Sequence, residues 1–151
     1  MLEIRPSYPD EFWRIEELIP AISQEGRFRD RPIDVIKLKT LYDYQFTQLI
    51  NTICYLAILD DQCVGFGAFV VNPSFFGHDR TASDLILYVV PEKRGSTIAL
   101  RILNQYEKWA MSQNVTEISL CIGSGINVEN TGKFYEALGY QKESVVYVKH
   151  P

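Results

Sequence analysis

Residues 85–101 constrain the fold most: Leu-Ile-Leu-Tyr-Val-Val-Pro-Glu-Lys-Arg-Gly-Ser-Thr-Ile-Ala-Leu-Arg. An apolar strand run stops at Pro91, a small polar turn follows, and helix-forming residues begin at Ile98. A strand handed to a helix through such a turn aims several backbone N–H groups and the positive end of a helix dipole at one point. That is a physical recipe for holding a phosphate or pyrophosphate, and it suggests a nucleotide-type cofactor. Two other phosphate loops are ruled out by their spelling. Neither Gly-x-x-x-x-Gly-Lys-Ser/Thr nor Gly-x-Gly-x-x-Gly after an early strand is present. Taken alone, the stretch is also readable as an ordinary strand-turn-helix connection.

A second landmark lies at residues 127–140, Asn-Val-Glu-Asn-Thr-Gly-Lys-Phe-Tyr-Glu-Ala-Leu-Gly-Tyr. It reads as a short helix ended by Gly139, which can take the left-handed conformation after the last turn, with Tyr140 opening the next strand. Together the two segments resemble the GCN5-related N-acetyltransferase (GNAT) family over about the C-terminal half of the chain. Val89-Val90-Pro91 followed by Arg94-Gly95-Ser96-Thr97-Ile98-Ala99 resembles the acyl-CoA pyrophosphate loop, Arg/Gln-x-x-Gly-x-Gly/Ala. Residues 127–140 resemble the family's late helix: Asn, a spacer, Phe/Leu-Tyr, two residues, then Leu/Val/Ala-Gly-Phe/Tyr. Thr97 departs from the pattern, adding a side chain and a hydroxyl where a glycine lets backbone approach phosphate.

The resemblance implies an α/β (α+β) fold: a central mixed, mostly antiparallel β-sheet flanked by helices, with a splayed strand pair forming an acyl-CoA wedge. It implies acetyl-CoA as co-substrate. Its pantetheine arm would meet the backbone of Leu87, Tyr88, Val89 and Val90, and its pyrophosphate the loop Arg94, Gly95, Ser96, Thr97, Ile98 and Ala99. Asn130 is the further cofactor contact by position. Neither it nor Asn127 falls at the family's usual spacing from Tyr135, where Val128 stands, and either asparagine can instead cap the helix.

The implied reaction moves an acetyl group from the thioester to a primary amine of a small molecule or protein, by direct transfer in a ternary complex. Such chemistry needs a route for the amine proton, a donor for the carbonyl oxygen and an acid near the leaving thiolate. Tyr135 matches the family position whose phenol serves as that acid. Asp84 is the nearest strand carboxylate for the base, with Glu25 and His78 as alternatives. Glu25 and Phe28 fall in the loop that borders the acceptor in the family; Tyr8, Phe75 and Phe76 are further aromatics that can line a pocket or cover core edges. A non-catalytic CoA-binding or protein-interaction module of the same fold is the alternative reading, and family members often form homodimers.

Composition is compatible with this. With 151 residues, 46% of them hydrophobic, the chain can bury one good core and lacks room for two sizeable domains, so residues 1–151 read as a single domain. A net charge of −4 argues against nucleic-acid binding, and Arg27, Arg29 and Arg31 alternate with Glu25 and Asp30 as in a solvated loop. Cys54, Cys63 and Cys121 have no metal-like spacing and read as small, mostly buried thiols in a reducing compartment. No secretory signal or membrane-length apolar run is seen, and a cytoplasmic protein without membrane attachment is expected.

The coarse element order is β-α-α-β-β-β-α-β-α-β. Strands are expected at 2–5, 55–59, 64–71, 84–90, 115–122 and 141–148, with a tight turn at 60–62 and a turn-rich connection at 72–83. Helices are expected at 10–21, at 34–51 with a break near 42–44, at 98–113 and in the late motif.

Overall fold

The computed structural model describes residues 1–48 and 50–151. At the centre of its sheet is the hairpin of β2 (Thr52–Leu59) and β3 (Gln62–Pro73). Asp60 and Asp61 form the turn with φ of 49° and 65°, the doubly left-handed geometry that matches the twist of a two-residue hairpin. β1 (Leu2–Pro6) pairs antiparallel with β2, and β4 (Arg80–Val89) antiparallel with β3. β5 (Glu117–Ile118) runs parallel to β4, giving the order β1-β2-β3-β4-β5.

Both faces of this sheet are buried, so β2 reads as a continuous apolar run rather than an alternating one. One face carries Tyr55, Ala57, Phe69 and Val71 against α4 (Ile98–Ser112), whose Ile102, Leu103 and Tyr106 recur at helical spacing. Tyr106 stacks on Phe69 with centroids 4.0 Å apart, and its hydroxyl donates to Ser119 O at 2.9 Å, tying the end of β5 to the helix. The other face carries Cys54, Leu56, Phe66 and Tyr88 against α1 (Phe12–Glu16) and α3 (Val35–Asp43) through Phe12, Ile15 and Tyr42. Each large side chain withdrawn from water contributes roughly 2 kcal/mol.

Two irregularities position the site. β4 bulges: Ala68 faces Ile86 and Phe69 faces Asp84, so Leu85 is unmatched and 61% exposed. β4 and β5 share only the pairs Thr81–Glu117 and Ala82–Ile118, then part. The expected splayed strand pair is therefore present.

Several expected elements differ. The helix expected at 10–21 is two: α1, then α2 (Ile19–Ile22), because Pro20 has no N–H to continue a helix and starts a new one instead. The helix expected at 34–51 ends at Asp43 and tightens into a 3₁₀ turn, Tyr44–Phe46; Leu49, which that reading included, lies outside the described residues. Half of the connection at 72–83 is strand, since β3 reaches Pro73 and β4 begins at Arg80. β5 is two residues rather than eight, because the chain beyond Ile118 leaves the β4 ladder. The strand expected at 141–148 does not form; with no neighbouring ladder to pair with, Val145, Val146, Tyr147 and Val148 are exposed. Among the described residues no helix is long and apolar enough to cross a membrane.

Candidate active site

Where β4 and β5 part, a cavity of about 380 Å³ opens. One wall is β4 from Asp84 to Val89. The other is the chain from Cys121 to Asn127 with Thr131, Phe134 and Tyr135 of α5 (Val128–Ala137), and Ile22, Glu25 and Phe28 reach in from the loop after α2.

Asp84 and Tyr135 both line this space. The bulge at Leu85 sets the register that places Asp84 there, and its Oδ1 accepts from the Cys121 N–H at 2.9 Å, bridging the split between the strands. Burial raises the Asp84 carboxyl above its ordinary range, against the lowering effect of backbone hydrogen bonds. Tyr135 is buried with Phe134 and Tyr140 beside it. Burial first, then the Asp84 charge, raises its phenol, so it stays protonated at neutral pH. Its hydroxyl has no hydrogen bond among the described residues and is free to donate.

The turn after β4 runs through the 3₁₀ segment Pro91–Lys93 to Arg94 and then α4. Gly95 takes φ of 82°, which a residue with a Cβ rarely adopts. Ser96 Oγ donates to Lys93 O at 2.6 Å. Thr97 is the N-cap of α4 with φ of −83°, so threonine sits there without backbone strain. Its side chain makes no capping bond, and among the described residues nothing accepts from the backbone N–H of Gly95, Ser96 or Thr97. The fifteen-residue helix thus presents unspent donors and the positive end of its dipole together.

Arg94 turns back toward the strand. Its Nε donates to Val89 O at 2.9 Å, its Nη2 to Glu25 Oε2 at 2.7 Å, and its guanidinium carbon lies 5.6 Å from the centre of the Tyr88 ring. Val90 N–H bonds Val64 O of β3, so the alternation of strand backbone turns the Val89 carbonyl into the opening.

The model of the acetyltransferase (GNAT) family matches residues 13–140. The chain belongs to the GNAT acetyltransferase family. It is thereby an acyltransferase, and the family uses acetyl-CoA. No curated protein matches this GNAT chain significantly. Among solved structures, a Trypanosoma brucei acetyltransferase superposes with TM-score 0.76 at 16% identity, covering 100% of both chains. A ribosomal-protein-alanine N-acetyltransferase from Brucella melitensis gives 0.74 at 19% identity, covering 99% of each chain. AAC(6')-Iy in complex with the bisubstrate analog CoA-S-monomethyl-acetylneamine gives 0.75 at 15% identity, covering 100% of this chain and 99% of that one. At such identities these likenesses show the fold.

Within the GNAT fold, the residues singled out from sequence separate into groups. Leu87, Tyr88, Val89, Arg94, Ala99, Glu25 and Phe28 line the cavity with Asp84 and Tyr135. Val90 and Ile98 pack toward the core, and Gly95, Ser96 and Thr97 lie on the exposed turn. Asn130 is exposed on α5 and outside the cavity lining; Asn127 and Thr131 line it instead, and Asn127 precedes the helix in the left-handed region without a side-chain capping bond. Phe75 and Phe76 stand 92% and 94% exposed on the turn between β3 and β4, which also carries His78. Tyr8 packs under the Arg5 guanidinium. Cys54 is buried and Cys63 half-buried, whereas Cys121 is exposed and lines the cavity, so it is not the buried thiol expected. Sequence reasoning gave no role to Cys121, Ser124 or Thr131: Cys121 and Ser124 reach the cavity because the chain leaves the sheet after β5, and Thr131 stands at a spacer position of the late-helix pattern.

Proposed function

We propose that residues 1–151 act as one acetyltransferase domain that transfers the acetyl group of acetyl-CoA directly to a primary amine of a small molecule or protein. The observation that carries this is the meeting of Asp84 and Tyr135 in one cavity whose mouth adjoins the unspent N–H groups of residues 95–97. These residues fit the cofactor. The turn offers donors and a helix dipole to an anionic pyrophosphate, and the β4 edge at Leu87 and Val89 offers backbone groups to an amide-bearing arm. Acetyl-CoA supplies, as a thioester, an acyl group already activated toward amines.

The chain's own residues supply position and proton management. Asp84, with a carboxyl raised by burial, is suited to receive the amine proton; Tyr135, kept protonated, is suited to donate to the departing sulfur. Glu25 and Phe28 offer one anionic and one apolar contact to a cationic acceptor. Calorimetric titration with acetyl-CoA, with ATP as comparator, tests the reading. Saturable binding that weakens in Arg94→Ala, together with thiol release in the presence of an amine, is expected; no binding at millimolar ligand overturns it.

A further inference from the structure

Arg94 is engaged at two points that the acyl-CoA reading assigns to the cofactor's surroundings. Its Nε occupies the Val89 carbonyl, an acceptor at the free edge of β4, and its Nη2 holds the Glu25 carboxylate. The Arg94 side chain is 37% exposed and that of Glu25 23%, so the pair spans the mouth of the cavity rather than sitting in the core. Glu25 belongs to a loop fastened separately on the opposite wall. Arg27 N–H donates to Ser124 O at 2.9 Å, and Gly26, at φ of 56°, lies so close that a Cβ there would stand 2.3 Å from the same oxygen. The loop is therefore a strap with one polar tie to each wall. Beneath the Arg94 tie, the buried Tyr88 hydroxyl, in a residue 7% exposed that lines the cavity, meets no hydrogen-bond partner among the described residues. A buried hydroxyl left unmatched favours an arrangement in which something else enters.

We propose that the Arg94–Glu25 pair is an internal counter-ion latch: Arg94 lies across the wedge in the cofactor's place, and binding of CoA exchanges Glu25 for the pyrophosphate. The guanidinium keeps an anionic partner throughout, and the carboxylate that gives up its partner, Glu25, is partly exposed and can be taken up by water. Release of Glu25 frees the strap at one end while the Gly26–Ser124 seat holds the other. The latch rests on the acyl-CoA reading of the wedge.

The test is a calorimetric double-mutant cycle with CoA as the ligand. Glu25→Gln keeps the shape but removes the competing charge, and it is expected to bind CoA about fivefold more tightly than the wild type, a modest gain because the pair is partly solvated. Arg94→Ala is expected to bind about tenfold more weakly through loss of a phosphate contact. Adding Glu25→Gln to Arg94→Ala is expected to change nothing further, because the charge it removes no longer has a rival ligand to compete with. Glu25→Ala repeats the arm should the amide form its own bond to Arg94. CoA affinity unchanged or weakened in both Glu25 variants, or a gain that persists without Arg94, overturns the latch. Binding by none of these proteins at millimolar CoA overturns the acyl-CoA reading itself, a different outcome from wild-type binding that Glu25 does not influence.

Discussion

Tyr135 and Asp84 carry opposite demands on proton affinity in one cavity, and each can be tested separately. Tyr135→Phe keeps the ring between Phe134 and Tyr140 and removes a hydroxyl that has no hydrogen bond among the described residues. The folded state should lose little, so the melting temperature is expected to stay within about 2 °C of wild type. Transfer should suffer far more: kcat is expected to fall about 10²-fold with the KM for acetyl-CoA nearly unchanged, read by thiol release. Asp84 makes a prediction about pH. Its carboxyl titrates above the unfolded value of 3.8 because burial disfavours the charge. As pH rises through this window the unfolded chain loses its proton first, so stability falls. Asp84→Asn can still accept from Cys121 N–H but carries no charge. It is expected to melt higher than wild type at neutral pH, with the gap closing as pH falls toward 3.8, while transfer activity drops sharply. A lower melting point for Asp84→Asn at neutral pH would show that the carboxylate serves structure rather than chemistry.

At the scale of elements, an ion cluster joins β1, α1 and the β2–β3 turn. Glu11 accepts from Arg5 at 2.8 and 2.7 Å and from Arg14 at 3.3 Å, while Arg14 also donates to Asp61 O at 2.8 Å. The Arg5 hydrogen bond outweighs burial and holds the Glu11 carboxyl at about 2, below its ordinary 4.5. A lowered carboxylate stabilises the fold above the unfolded value and loses that contribution as pH falls from 4.5 toward 2. Glu11→Gln is expected to cost on the order of 3 kcal/mol at pH 7, with the deficit shrinking over that acid window in melts against pH. Nothing local in the chain announces this cluster, because Asp61 reaches Arg14 and Glu11 only through the folding of the hairpin beside α1. What could be read was local. The Asp60-Asp61 turn, the stripe of α4 and the strand-turn-helix at 85–101 each follow from neighbours in the chain. Three features depend on distant partners and were missed or misread. Polar Asn72, Arg80 and Thr81 looked like loop but extend β3 and β4 through mutual pairing. The run Val145-Val146-Tyr147-Val148 has strand composition but no ladder beside it. Arg94 and Glu25 were each singled out as site residues, yet their pairing spans 69 positions and emerges only from the fold.

At the scale of the molecule, the sheet is asymmetric in its cohesion. β1 to β4 share long antiparallel ladders interrupted by single register shifts, whereas β5 is held by two register pairs, the Ser119 N–H to Ala82 O bond and the Tyr106 anchor before the chain swings away. Beyond that point Asp84 to Cys121 is the polar link across the split, and Arg27 to Ser124 fastens the strap. A ligand seated there replaces missing strand pairing with contacts to both walls, so it should protect the walls and not the central hairpin, which is already the most buried part of the sheet. Binding to the folded chain alone adds about 2.7 kcal/mol at a ligand concentration one hundred times Kd. For a domain of this size that corresponds to a rise in melting temperature of about 5–10 °C. Acetyl-CoA at that excess is expected to produce such a rise, with slowed amide exchange concentrated at residues 84–89 and 121–127 and little change at 53–58. The same rise with protection confined to 94–99 would mean that only the phosphates engage and that the parted strands do not hold the acyl arm.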